Sequence, residues 1–285
     1  MRETQSLRDA FFARGFVTDC PVYDMHGHMG PWPGSSLPRC APEDMAYSME
    51  RAGVAIIVFC HHAALMSPDI GNRANIDAVR RFPNYFRAYC AVNGNYPDVI
   101  ARDLKAYDRY PDVFVGFKFL ADYHRVALTD ARVRKVWEFA NERKLLVLMH
   151  TWGGSAYNGP GQVAEIAAKY PQVTLLMGHS CHGEWDKAAE LAKKFSNVYL
   201  ELTAVLDDRG VLEMFVRKAG SEKILFGTDS PWFNHHHHIG AVLGAEMTDD
   251  DRRNIFHRNA RRLLAPFLPR DWEKRKRCRE ACVSG

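Results

Sequence analysis

Eight short apolar or β-branched runs recur along the chain at a nearly fixed interval. They begin near Tyr23 (YDMHGH), Ile56 (IIVFCHH), Phe86 (FRAYCAVN), Val115 (VGFKFL), Leu145 (LLVLMHT), Val173 (VTLLMGHS), Val198 (VYLELTA) and Ile224 (ILFGTDSP). The steps between these starts are 33, 30, 29, 30, 28, 25 and 26 residues. Near-continuous apolar runs of this length suit strands buried on both faces, as in a parallel sheet. Helical patterns fill the gaps. Pro42 opens one over 43–52 that Gly53 can close, and Ser67-Pro68 starts a second that Pro83 ends. Others span 131–143, 162–170 (stopped by Pro171), 184–194 and 248–262, the last with Asp251 three residues on from a Thr248 cap. Strand alternating with helix eight times implies parallel strands joined by right-handed crossovers, which close into a (β/α)8 TIM barrel. No linker or composition break divides residues 1–285, so a single domain is expected, with the barrel at about 20–268 and a polar C-terminal tail.

Composition narrows the partners. Apolar residues make up 47% of the 285 and charged residues 25%, which suits a globular core. The net charge of +4 comes from 38 basic against 34 acidic side chains, too even to indicate nucleic acid or a membrane surface. The polar first residues do not resemble a signal peptide, and no apolar run nears the ~20 residues that span a bilayer. Seven scattered cysteines (20, 40, 60, 90, 181, 278 and 282) read as reduced thiols in a cytoplasmic protein. Cys278 and Cys282 stand in a basic tail that reads as a solvated terminal helix.

In such a barrel the reactive residues sit at the C-terminal ends of the strands. The polar residues of the runs collect there: His26 and His28 on the first, Lys118 on the fourth, His150 on the fifth, His179 on the sixth and Asp229 on the eighth. A His-x-His pair on a strand puts both imidazoles on one side. Two neutral imidazoles and a carboxylate suit a divalent metal such as Zn²⁺, with Mn²⁺ or Fe²⁺ as alternatives.

The segments DMHGH, LLVLMHT, LLMGH and ILFGTDSPW resemble the amidohydrolase superfamily, and most closely the amidohydrolase-related (amidohydrolase 2) family of metal-dependent barrel hydrolases and decarboxylases. The run DDDRRNIFHRNARRLL is similar to that family's closing helix, so the resemblance covers about 23–264. It implies that His26 and His28 are strand-one ligands and that Asp229 is a metal ligand that also shuttles the proton of an attacking water. It further implies that His150 is a ligand, and that His179 is a ligand in two-metal members or a catalytic group in one-metal members. Lys118 matches a lysine that, when carboxylated, bridges two metals. An unmodified site ammonium and a structural pairing with Asp229 or Glu201 are the other two readings.

Around these, Trp32, His61, Trp152, Glu201 and Trp232 fall where a small-molecule substrate would lie, with His62, Asn93 and Tyr157 nearby. The proline-rich stretch 29–42 reads as a stiff wall, and the run 235–238 as a solvated loop. The leading expectation is a hydrolase that attacks an amide, lactone or other ester bond with a metal-activated water. A non-oxidative decarboxylase of an aromatic or enoate acid is the runner-up. A metal-binding scaffold without turnover is the reading from a different class. Barrels commonly form homodimers, and no surface in the sequence names an interface.

Overall fold

The eight apolar runs form eight strands in the computed structural model, which describes residues 6–17 and 19–272. They are β1 Val22–Met29, β2 Val54–His61, β3 Phe86–Val92, β4 Phe114–Phe119, β5 Leu146–Trp152, β6 Thr174–His182, β7 Val198–Glu201 and β8 Ile224–Leu225. Each pairs in parallel with the next, in the order of the chain. The last strand is shorter than its apolar run suggested. Gly227 weakens pairing and Pro231 has no N–H to give, so the chain leaves the regular ladder after Leu225. The ring is nevertheless completed by backbone bonds to β1. Met25 N–H donates to Phe226 O (2.9 Å), His28 N–H to Ser230 O (2.6 Å), and Asp229 N–H to His26 O (2.7 Å). The result is a nearly closed (β/α)8 barrel.

The helices follow the sequence signals. Pro42–Ala52 begins on its proline and ends at Gly53, whose φ of 71° is the left-handed cap that glycine adopts freely. The expected helix at 131–143 starts with a short 3₁₀ turn and is α-helical over Arg134–Arg143. The closing helix starts in a capping box between Thr248 and Asp251. It was expected as one regular helix, but a π turn over Asn254–Arg258 interrupts it. That turn buries Ile255 and Phe256, and the Ile255 carbonyl accepts a bond from Phe226 N–H at the barrel seam. The run 235–238 was expected as a solvated loop. It is instead the first turn of a helix, His235–Gly244, with His235 and His238 buried.

The core has two shells. One lies between strands and helices. The other fills the barrel with Tyr23, Met25, Val58, Tyr89, Leu148 and Leu176, and is sealed from below by Ala260, Leu264 and Trp272. A register shift between Asp24 and Gly27 bends β1. Met25 therefore joins the interior cluster while the next residue, His26, also faces inward, onto Glu201. The five described cysteines are free thiols. Cys278, Cys282 and the basic run beyond Trp272 lie outside the described residues. No helix among the described residues is long and apolar enough to cross a membrane.

The β4–β5 seam supplies a test of this packing. A Cβ at Gly116 would stand 1.6 Å from the Leu146 carbonyl oxygen, a backbone atom that cannot move aside. Gly116→Ala is expected to destabilise the fold by about 2–3 kcal/mol through overpacking, measured by urea unfolding.

Candidate metal centre

The strand ends bring His26, His28, Lys118, His150, His179 and Asp229 to one mouth of the barrel. Neighbours orient the two histidines of β1. His28 Nδ1 lies 2.8 Å from the Cys60 carbonyl, which can only accept, so Nδ1 carries the hydrogen and Nε2 presents a lone pair. His26 Nδ1 lies 2.8 Å from Glu201 Oε2, which turns its Nε2 toward the centre. Both Nε2 atoms face the same oxygen, Asp229 Oδ1, at 3.1 Å from His26 and 2.9 Å from His28. Asp229 Oδ1 is buried without a hydrogen-bond donor, and so is His179 Nδ1. Donor atoms of His26, His179 and Asp229 all lie within 4.8 Å of one another.

Lone pairs that converge without hydrogens between them repel unless a cation stands among them. The donor set is two or three imidazoles and one carboxylate, a set that suits a divalent metal. Lys118 Nζ lies 2.7 Å from His26 Nε2 and brings a positive charge to this spot. It pairs with neither Asp229 nor Glu201 by direct contact, as the structural reading had supposed. Burial lowers the Lys118 pKa, against the pull of Asp229. Burial would raise that of Asp229, yet the imidazoles around it hold it well below the usual carboxylate range.

Glu201 departs from the expected role. It was expected on the substrate, yet it is fully buried beneath His26. Its Oε1 accepts from Thr203 N–H (2.8 Å) and Thr203 Oγ1 (2.7 Å), and its Oε2 from His179 N–H (3.2 Å). Burial pushes its pKa up to about 8 while the Thr203 bonds pull it down. A cation on His26 Nε2 is compatible only with the proton on Nδ1, where Glu201 receives it. Glu201 thus orients the His26 ring and has no surface at the mouth.

His150, expected as a ligand, stands outside the convergent group. Its Nε2 is 3.6 Å from Asp122 Oδ2, and its ring is 4.4 Å from that of His179. Burial lowers its pKa to about 4. His179 reaches the centre through an uncommon backbone path. His179, Ser180 and Cys181 have φ of 65°, 46° and 52°, three left-handed non-glycine residues in a row. Each costs about 1–2 kcal/mol on its own, so neighbours must hold them. Thr151 Oγ1 accepts from Cys181 N–H and donates to Gly178 O, while Ser180 Oγ donates to Glu201 O and accepts from Glu201 N–H.

Aromatic rings form the rim. Trp32 meets Trp232 (6.1 Å between centroids), Tyr123 (6.4 Å) and His62 (5.4 Å), all edge-on. Trp152 stacks on His150 and on His182. Tyr123, Trp152 and Trp232 are exposed at the mouth, Trp152 with its faces against the two imidazoles. His61 Nδ1 accepts from Ala63 N–H and so caps a short helix, and its ring packs against Gly30. Its neighbour His62 is the rim's keystone. Its Nδ1 bonds to Gly30 O (2.6 Å), and its Nε2 accepts from Trp232 Nε1–H (2.9 Å). Asp24, Asp122, Thr151, Ser180, Thr203 and His182 were not singled out in the sequence. Asp24, inside DMHGH, and Thr151, inside LLVLMHT, stood within motifs, and Ser180 and Thr203 lay in the apolar runs.

Comparison with known proteins agrees with this architecture. A family model described as Amidohydrolase matches residues 23–265, and the chain belongs to that family. No curated protein sequence matches. Among solved structures, an uncharacterised TIM-barrel protein of Bordetella bronchiseptica is 17% identical, with a TM-score of 0.71 over 87% of this chain and 99% of its own. The 5-carboxyvanillate decarboxylase of Sphingomonas paucimobilis is 12% identical (TM-score 0.69; 86% and 99%). A dihydroxybenzoic acid decarboxylase of Polaromonas sp. JS666, solved with bound manganese and 2-nitroresorcinol, is 17% identical (TM-score 0.69; 88% and 98%). At these identities the likeness concerns the fold.

Two outcomes are expected. Glu201→Gln should lower metal affinity about 10–100-fold while the fold persists, as read by metal titration with circular dichroism alongside. The second concerns acid. His62 must be neutral to accept from Trp232, and burial above all pushes its pKa down to about 3. An unfolded histidine takes up its proton near 6.5. This contribution is therefore present above about pH 6.5 and is lost as the pH falls toward 3, at up to about 1.4 kcal/mol per pH unit. His150 adds in the same direction. Unfolding curves between pH 7 and 4 should show that loss, and His62→Gln should make it shallower.

Proposed function

Taking membership of the amidohydrolase family as the premise, we propose that this protein is a metal-dependent, non-oxidative decarboxylase of a small aromatic or conjugated carboxylic acid. The observation that carries this reading is the one convergent donor group among the described residues, His26, His179 and Asp229 with His28 against Asp229, under an aromatic rim. One such group suits one ion. The structural neighbours named as decarboxylases support the same order of readings, which reverses the expectation drawn from the sequence.

A divalent cation held by these side chains supplies the positive charge that a substrate carboxylate and its neighbouring oxygen require. Manganese is favoured over the zinc expected from ligand type, because a neighbour carries it. The chain's own residues do the rest. Trp32, Trp152 and Trp232 hold a planar ring by its faces and edges and keep water off it. Glu201 fixes His26 from below. As the bond between ring carbon and carboxylate breaks, carbon dioxide leaves and the electron pair stays on the carbon. That carbon then takes one proton. His150, backed by the Asp122 carboxylate, is the side chain placed to carry it, once the negative substrate raises its depressed pKa. Lys118 lies deep in the centre and stabilises negative charge there.

Lys118 also favours a second reading, hydrolysis of an amide, lactone or ester, with Asp229 taking the proton of the attacking water. The two separate in one experiment. Manganese-loaded protein, purified without a nickel column, is incubated with a panel of hydroxybenzoates and, separately, of lactones and amides. Carbon dioxide from the acids is expected. Product from the lactones or amides alone would make the protein a hydrolase. His150→Ala is expected to keep its metal and lose turnover by about 10²–10⁴-fold, whereas His179→Ala should lose metal as well.

A further inference from the structure

Beside the metal centre lies a second cleft, of about 580 Å³, between helix Pro42–Ala52 and the segment 230–234. Its size falls in the range of small-molecule sites. Its walls are of two kinds. Tyr47, Trp232 and Phe233 offer aromatic surface, and Arg39 and Arg51 offer guanidinium groups. Neither arginine has a carboxylate partner among the described residues. The Arg51 guanidinium lies over the Tyr47 ring at 5.7 Å, which leaves its N–H edges free. Asp44 is the one acid in the lining, against two arginines and His236. Two guanidinium groups in a lining that also holds aromatic rings match a carboxylate carried on a flat frame, because guanidinium binds carboxylate in the plane and rings take up the rest.

The indole of Trp232, fixed by its bond to His62, is the wall that this cleft shares with the mouth of the metal centre.

We infer that this cleft is a second binding site, distinct from the metal centre, for a small aromatic or conjugated carboxylate. The inference does not rest on the proposed reaction, since it requires binding and no turnover. It is tested with 4-fluorobenzoate as probe, followed by ¹⁹F resonance during titration of the intact metal-loaded protein, with inorganic phosphate as the comparison anion. One binding event is expected to weaken at least 10-fold in the double variant Arg39→Ala/Arg51→Ala, with metal content, secondary structure and oligomeric state unchanged. Both arginines are exposed, so the variant should fold. An isotherm unchanged by the double substitution would overturn the inference. So would phosphate that competes as well as the probe, because that would reduce the cleft to a bare charge patch. A shift in oligomeric state in the double variant would make it an interface between copies instead.

Discussion

The mouth of this barrel depends on one buried carboxylate with no acceptor position to spare. Glu201 receives Thr203 through two bonds, the backbone of His179 through a third and the ring of His26 through a fourth. Those bonds join β6, β7 and β1 at the point where reactive side chains must be held still. A carboxyl group so deep is tolerated only when fully satisfied. The same oxygens therefore fix the tilt of one proposed ligand and the backbone of another. Gly227 lies so close that a Cβ there would stand 1.9 Å from Glu201 Oε1. The site is thus set by packing from beneath as much as by its own side chains.

Above that floor the chemistry changes character. Charged and metal-seeking groups give way within a few ångströms to indole, phenol and imidazole rings. Hydrogen bonds of His62 lock one side of this rim, and stacking of Trp152 between His150 and His182 sets the other. A flat, anionic small molecule of the kind proposed would meet apolar faces first and positive charge last. That order lets binding remove water before the charged end arrives.

Much of this was legible in the sequence, because the barrel repeats one physical pattern eight times. Buried parallel strands need unbroken apolar runs, and polar residues at their ends have few explanations other than function. That His26, His28, His179 and Asp229 gather at one point could be read that way. The positions of His150 and Glu201 could not. Both are polar residues at strand ends, and only the geometry separates a side chain that faces the mouth from one that props up a ligand. The supports Thr151 and Ser180 are ordinary residues whose value lies in hydrogen bonds across strands, which leave no local signal, and Thr203 matters only because it holds the buried Glu201 two residues away. The run 235–238 was misread because four histidines look polar. Two of them face inward, and His235 Nε2 lies 3.3 Å from the buried Asp24 carboxylate. The π turn at Asn254–Arg258 answers to a tertiary contact with Phe226 and not to helix propensity.

The seam that closes the barrel joins its first strand to its last, and it runs through the site itself. His26 O accepts from Asp229 N–H, and His28 N–H donates to Ser230 O, so the residues that would hold an ion also stitch together segments two hundred positions apart. During synthesis, His26 and His28 leave the ribosome before Asp229 and remain an incomplete half-site until the segment after β8 has followed. Assembly of the candidate centre is therefore tied to synthesis of that segment. A product truncated before β8 could keep its histidines and most of its strands and still lack the carboxylate that makes them a centre.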